Sequence, residues 1–271
     1  MIPENPESKI EYLLPGIEKP IIGMIHLRAL PGTAGSRGSF AEVRDAALVD
    51  MEALVAGGID AIMIENYGDV PFRKGAVEPH TIAMMAVIAS EIRQQCPKPL
   101  GINVLRNDAA GALGIAAACG ASMIRVNVHT GAMLTDQGVI EGDARATLDY
   151  RMKLGADVKI MADVHVKHAA PLAPIPIAVA AADAVERGLA DALIVSGDRT
   201  GSGCDPDELR MVRAAVSVPV LVGSGVTADT VAEILRESDG AIIGSWLKMH
   251  GEVWRPVDRE RVERLMEAAR R

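Results

Sequence analysis

Residues 159–168 read KIMADVHVKH, and the alternation of side chains within them decides the fold. A β-strand sends successive side chains to opposite faces. On one face lie Asp163, His165 and Lys167, and on the other Ala162, Val164 and Val166. Past Lys159 the run is apolar and then becomes charged on one side only, as expected of a strand that leaves an apolar interior at a polar mouth. Seven more short apolar runs recur along the chain, and nearly every one ends in a polar residue or a glycine. They are 21–27 (IIGMIHL), 61–66 (AIMIEN), 100–105 (LGINVL), 123–129 (MIRVNVH), 192–197 (ALIVSG), 220–225 (VLVGSG) and 241–244 (AIIG). A helix-like stretch follows each, at about the 30-residue rhythm of a βα repeat. Eight such units predict a single α/β domain, a closed (β/α)8 TIM barrel, whose chemistry collects where the strands stop.

Length and composition agree. The 271 residues fit one barrel over residues 20–271 with a short N-terminal extension, residues 1–19, placed as a cap beneath or beside it. Hydrophobic residues make up 49% but aromatics only 3%, so aliphatic side chains and methionine must fill the core. A net charge of −8 argues against a nucleic-acid partner, which needs a basic face. Cys96, Cys119 and Cys204 are odd in number and far apart, which suits neither a disulfide framework nor a cysteine zinc site. No apolar run approaches the roughly 18–20 residues of a transmembrane helix. The opening residues, 1–11, do not read as a signal peptide, so a cytoplasmic location is expected. A homo-oligomer is left open. Helices are expected at 40–56 (stopped by Gly57-Gly58), 80–95, 109–119, 143–154, up to Arg187, 207–215, 228–237 and 258–269. The loops 28–39, 67–79, 130–141 and 198–206 are long, and long loops belong on the catalytic rim.

The strand ends supply the chemistry. Arg125, Asn127 and His129 share a face of the fourth strand, and His26, Glu65 and Asn103 sit late on the first three. With Asp163, His165 and Lys167 they make one polar constellation at the mouth, and burying so many ionisable groups only to fill space would be costly. Three chemistries compete. Glu65, His129, Asp163 and His165 could hold a divalent metal. Asp163 or Glu65 could act as base while His129, His165 or Lys167 polarises an oxygen. Lys167 could form a Schiff base, or simply anchor an anion at the rim. No cofactor beyond that metal is implied. Arg125 lies deeper and could equally be a structural ion-pair member.

The other half of the ring is small and glycine-rich. Gly223, Ser224 and Gly225 end strand seven, and Gly244 and Ser245 end strand eight. This is where such barrels bind phosphate on backbone N–H groups. Ser196 and Gly197 at strand six, with Thr200 and Gly201 in the loop beyond, extend the same pattern. Lys248 reads as an extra anion contact or a rim salt bridge. Arg73 and Lys74 could clamp an anion or be solvated loop charges, and Cys204 reads as an incidental thiol.

Several strings resemble the BtpA family, named for a cyanobacterial protein implicated in photosystem I biogenesis and shared with SgcQ-like proteins of bacteria and archaea. They are IGMIHL at 22–27 with LPG at 30–32, ENYGDVPF at 65–72, GINVLRND at 101–108, and RVN at 125–127. They continue with ADVHVKH at 162–168, Ser196-Gly197 with Thr200-Gly201, VGSGV at 222–226 and PVD at 256–258. The resemblance runs from about residue 18 to the C-terminus and implies a phosphate-binding barrel of the ribulose-phosphate-binding kind. The residues and the resemblance together lead to an expected isomerase or lyase acting on a small phosphorylated, sugar-like substrate. The rival is a non-catalytic assembly or regulatory factor with a photosystem I biogenesis-type role.

Overall fold

The strands of the computed structural model, which describes residues 7–197 and 203–270, run in chain order as β1 (Ile21–His26), β2 (Ala61–Glu65), β3 (Leu100–Asn103) and β4 (Met123–Val126). Then come β5 (Ala132–Thr135), β6 (Gly138–Glu141), β7 (Lys159–Val164), β8 (Ala169–Pro171), β9 (Ala192–Val195), β10 (Val220–Val222) and β11 (Gly240–Ile243). Eight of them close a ring in the order β1-β11-β10-β9-β7-β4-β3-β2, every neighbour parallel. The expected barrel is present, with helices between its strands.

Helix boundaries follow local chemistry. The helix Phe40–Ala56 begins with a capping box: the Glu42 N–H donates to Ser39 Oγ at 3.3 Å, and the Ser39 N–H donates to Glu42 Oε2 at 2.6 Å. Such a cap satisfies two otherwise orphaned donors and contributes about 1 kcal/mol. The helices Ala109–Cys119 and Ala144–Leu154 start on the Asp108 and Asp143 carboxylates and stop at left-handed Gly120 and Gly155.

Two apolar layers flank the sheet. Outward residues such as Ile25, Ile64, Ile102 and Ile160 pack against the helices. Inward ones, among them Met24, Met63, Met123, Met161, Ile194, Leu221 and Ile242, form a separate core inside the ring. Leu13 and Leu14, at the end of the helix Glu7–Leu13, join that inner core. Methionine, unbranched and adaptable, fills a ring interior that holds no aromatic side chain among its buried members.

The structure departs from expectation at two rims. Residues 130–141, expected as a loop, form the antiparallel hairpin β5–β6, which β8 extends to a three-stranded sheet. Met133 and Thr135 face inward and Leu134 outward, and Gly138, with φ +94°, follows the tight turn. Strand five of the barrel, expected over 159–167, stops at Val164, because His165 adopts φ +48° and turns the chain. Among the described residues, no helix is long and apolar enough to cross a membrane.

Candidate functional site

Two residues beyond the inner core, each barrel strand presents its last inward side chain. Around the ring these are His26, Glu65, Asn103, Arg125, Asp163, Ser196, Gly223 and Gly244. The first five are polar and large, whereas the last three are small. The asymmetry leaves a cavity over the glycine side of the ring.

That cavity has two lobes. The first, about 200 Å³, is lined by His26, Glu65, Arg125 and Lys167 on one side and by residues 223–227 and 242–246 on the other. The second, about 110 Å³, shares Glu65, Tyr67, Arg125 and Lys167 and adds Val70, Phe72, Leu105, Arg106, Asn127, Val166, His168 and Trp254.

Backbone geometry shapes the first lobe. A Cβ on Gly223 would sit 2.5 Å from Ile194 Cγ2 and 2.6 Å from Ser196 Oγ, and one on Gly244 would sit 2.6 Å from His26 Cε1. Gly225 has φ +71°, in the left-handed region that favours glycine. Among the described residues, the N–H groups of Val226, Gly244, Ser245 and Trp246 donate no hydrogen bond. Four unpaired donors bordering one cavity are suited to an anion.

Charge is concentrated opposite them. Arg125 Nε and Nη2 donate to the two oxygens of Asp163 at 2.9 and 2.7 Å, and Asn127 Nδ2 donates to Asp163 Oδ2 at 2.7 Å. Asn103 Nδ2 donates to the Arg125 carbonyl at 3.1 Å. Burial opposes the charge on Arg125, but Asp163 outweighs it and the guanidinium pKa is raised. Burial also raises the Glu65 pKa, against the pull of the Arg125, Lys167 and Arg106 cations. His26 is pushed well below the usual histidine range by burial and then by Lys248, Lys167 and Arg125, so its ring is neutral. Its Nε2 is 3.7 Å from Glu65 Oε1, which for a neutral ring is a polar contact rather than an ion pair.

Lys167 is the exception to this pairing. Its carbonyl accepts from Arg106 Nη2 at 2.7 Å, yet its ammonium has no partner among the described residues. Burial, then the Arg125 charge, lowers its pKa to about 8, against attraction from Glu65 and Asp163. A lysine so placed carries a substantial neutral-amine fraction just above neutral pH.

The expected constellation therefore divides. Glu65, Lys167, His26 and Asn127 border the cavity, while Asn103 and Asp163 lie in the hydrogen-bonded layer supporting it. His129 does not join them. Strand β4 ends at Val126, and the His129 ring turns so that Nε2 meets the Gly188 carbonyl at 2.8 Å. His165, past the turn at its own positive φ, borders a separate space of about 60 Å³ behind Asp163. Glu65, His129, Asp163 and His165 consequently do not converge on one metal position. Among the described residues, no group of three or more metal-ligating side chains is placed to hold an ion.

The small-residue set also divides. Gly223, Ser224, Gly225, Gly244 and Ser245 line the first lobe, but Ser196 and Gly197 do not. The Gly197 N–H is already spent on Ser224 Oγ at 2.9 Å. Thr200 and Gly201 lie outside the described residues. Lys248 is no rim group: it is 1% exposed and bonded to Asp50 at 2.5 Å. Arg73 pairs with Glu78 at the surface, and Lys74 is no part of either lobe. Arg106, Tyr67, Phe72 and Trp254 were not singled out from sequence. Arg106 and Tyr67 stood inside the strings 101–108 and 65–72, where their position after a strand end was the available signal.

The BtpA family model matches residues 17–271 of this chain. An uncharacterized protein of Thermococcus kodakarensis is 47% identical over 93% of this chain and 95% of its own. The photosystem I biogenesis protein BtpA of Synechocystis is 44% identical over 92% of this chain and 87% of its own. Among solved structures, N-(5'-phosphoribosyl)anthranilate isomerase from Pyrococcus furiosus superposes with a TM-score of 0.58 at 15% identity, covering 93% of this chain and 98% of that one. At that identity the likeness concerns the barrel fold alone.

Proposed function

The chain belongs to the BtpA family, and we propose that it is a phosphate-binding barrel enzyme, an isomerase or lyase that moves a proton beside the carbonyl of a small phosphorylated substrate. One observation carries this reading. An unpartnered lysine, Lys167, and a buried carboxyl, Glu65, face a wall of unpaired backbone N–H groups across the same cavity. The phosphate binds at Gly223–Gly225 and Gly244–Ser245, and the carbonyl end rests against Lys167 and Glu65. The environments draw the two groups' proton affinities toward each other, one raised and one lowered, as an acid–base pair requires. Asp163 is committed to Arg125 and Asn127, so the proton-handling roles fall to Glu65 and Lys167. The same neutral amine would suit a Schiff base with a carbonyl substrate.

The test is proton exchange. The protein is incubated in deuterium oxide with a panel of sugar phosphates, and exchange beside the carbonyl is followed by NMR. Exchange on at least one member, abolished in Glu65→Gln and Lys167→Met, is the expected result. Borohydride trapping on the same panel separates a Schiff base from simple proton transfer. Tight binding of a phosphate ester with neither exchange, trapping nor turnover would overturn the enzymatic reading in favour of a ligand-holding assembly or regulatory factor.

A further inference from the structure

The second lobe carries more aromatic surface than the first, which Tyr67 and Trp246 border. Of the chain's two tryptophans, three tyrosines and two phenylalanines, one of each lines it: Trp254, Tyr67 and Phe72. In a chain that is 3% aromatic, and whose inner core uses none among its buried members, three aromatic rings on one lobe are a concentration. Tyr67 lies between His26 and Trp254 in tilted ring contacts, centroids 4.6 and 5.2 Å apart at interplanar angles of 31° and 48°, so the rings step outward from the strand ends to the rim. Trp254 is nonetheless 63% exposed. Val70, also exposed, and Val166 complete an apolar wall.

A cation stands at this wall. Arg106 is buried, and burial lowers its pKa, yet it lacks a close carboxylate. Its Nη2 is spent on the Lys167 carbonyl, its Nη1 reaches only Asp136 at 3.5 Å, on a largely exposed side chain, and its Nε has no acceptor. A desolvated guanidinium with an incomplete set of acceptors is stabilised by an anion brought in by a ligand. Flat aromatic faces beside it select a flat, unsaturated group.

We infer that the substrate is two-ended: a phosphate at one end and, at the other, a planar unsaturated ring bearing a carboxylate or similar anionic group, laid against Trp254 and Tyr67 and paired with Arg106. This rests on the proposed phosphate site for its first end only. The second end stands on the aromatic wall and Arg106.

Binding by the intact protein, read by calorimetry, tests the two ends separately. The probes are ribose 5-phosphate (phosphate alone), uridine 5'-monophosphate (phosphate and ring), orotidine 5'-monophosphate (phosphate, ring and ring carboxylate) and free orotate (ring and carboxylate alone). Affinity should rise about tenfold at each step from the first probe to the third, in keeping with stacking and charge-assisted bonds. Trp254→Ala should remove the uridine gain and Arg106→Gln the orotidine gain, both leaving ribose 5-phosphate affinity unchanged. Equal affinity for the three phosphates would overturn the ring proposal while the phosphate site stands. If no phosphate-dependent gain appears but orotate binds, and loses affinity in both variants, the phosphate reading fails and the ring lobe is supported. Orotate binding that is absent, or indifferent to both substitutions, together with flat phosphate affinities, overturns the lobe.

Discussion

Arg125 grips Asp163 with both ends of its fork, at 2.9 and 2.7 Å, and the two side chains are 3% and 0% exposed. The pair links β4 to β7, and its guanidinium forms part of the wall of both lobes. A buried pair of this kind contributes little net stability while intact, because desolvation offsets attraction, but it is costly to break. Asp163→Asn, which deletes the charge and keeps the shape, should therefore destabilise the fold by about 3 kcal/mol. Denaturant unfolding checks this. The double variant Arg125→Met, Asp163→Leu should recover much of the loss. If Asp163→Asn unfolds like the wild type but loses exchange activity, Asp163 is a reacting group and the positioning role assigned here is wrong.

Lys167 should be the most reactive lysine near neutral pH. With its pKa lowered to about 8, acylation of its amine should have a midpoint near that value, read by peptide mapping after brief labelling across a pH series. The sign for stability follows from linkage. The unfolded chain holds a proton on this amine up to its ordinary pKa and the folded chain gives it up near 8. This group therefore makes stability rise with pH between those two values and leaves it flat below the lower one. A labelling midpoint near 10 would remove the basis for a neutral amine in the cavity.

Strand parity is followed at Arg125 and Asp163, and register sets Arg125 beside Asn103, Glu65 and His26, since alternation is enforced by the pleat. It failed where the strands had already ended. His129 and His165 share the parity of Arg125 and Asp163, but β4 stops at Val126 and β7 at Val164, and beyond those points period two has no meaning. Nothing local marks His165 for a positive φ. The hairpin β5–β6 was hidden because four-residue strands give too short a pattern. The aromatic wall was illegible for a different reason: Tyr67 and Phe72 come from one loop and Trp254 from another about two thirds of the chain away, and only ring closure brings those loops together.

Gly244 is predicted to be intolerant of any side chain. An added Cβ would lie 2.6 Å from His26 Cε1, and the ring cannot retreat far because the Tyr67 ring lies against it in a tilted contact, 4.6 Å between centroids. Gly244→Ala should cost about 1–3 kcal/mol of stability by overpacking. By displacing the Ser245 N–H, it should also weaken inorganic phosphate binding at least tenfold. Calorimetric titration beside thermal unfolding measures both. Wild-type phosphate affinity in a folded Gly244→Ala protein would take the anion away from this strand end.

The buried Lys248–Asp50 pair gives the sharpest separation of structure from binding. Lys248 lies just past the short helical turn Ser245–Leu247, close enough along the chain to pass for an anion ligand. Instead its ammonium bonds to Asp50 Oδ2 at 2.5 Å, while Asp50 Oδ1 accepts the Val257 N–H at 2.7 Å. One carboxylate thus fastens both ends of the segment that carries Trp254 to the helix Phe40–Ala56. Burial lowers the lysine pKa and Asp50 opposes that, so breaking the pair strands a charge. Lys248→Met should cost about 3–5 kcal/mol, and adding Asp50→Asn, which keeps an acceptor for Val257, should return more than half of it. Phosphate affinity should stay at the wild-type value in the folded fraction of both. An unchanged melting temperature with lost phosphate binding in Lys248→Met would make this lysine an anion ligand after all.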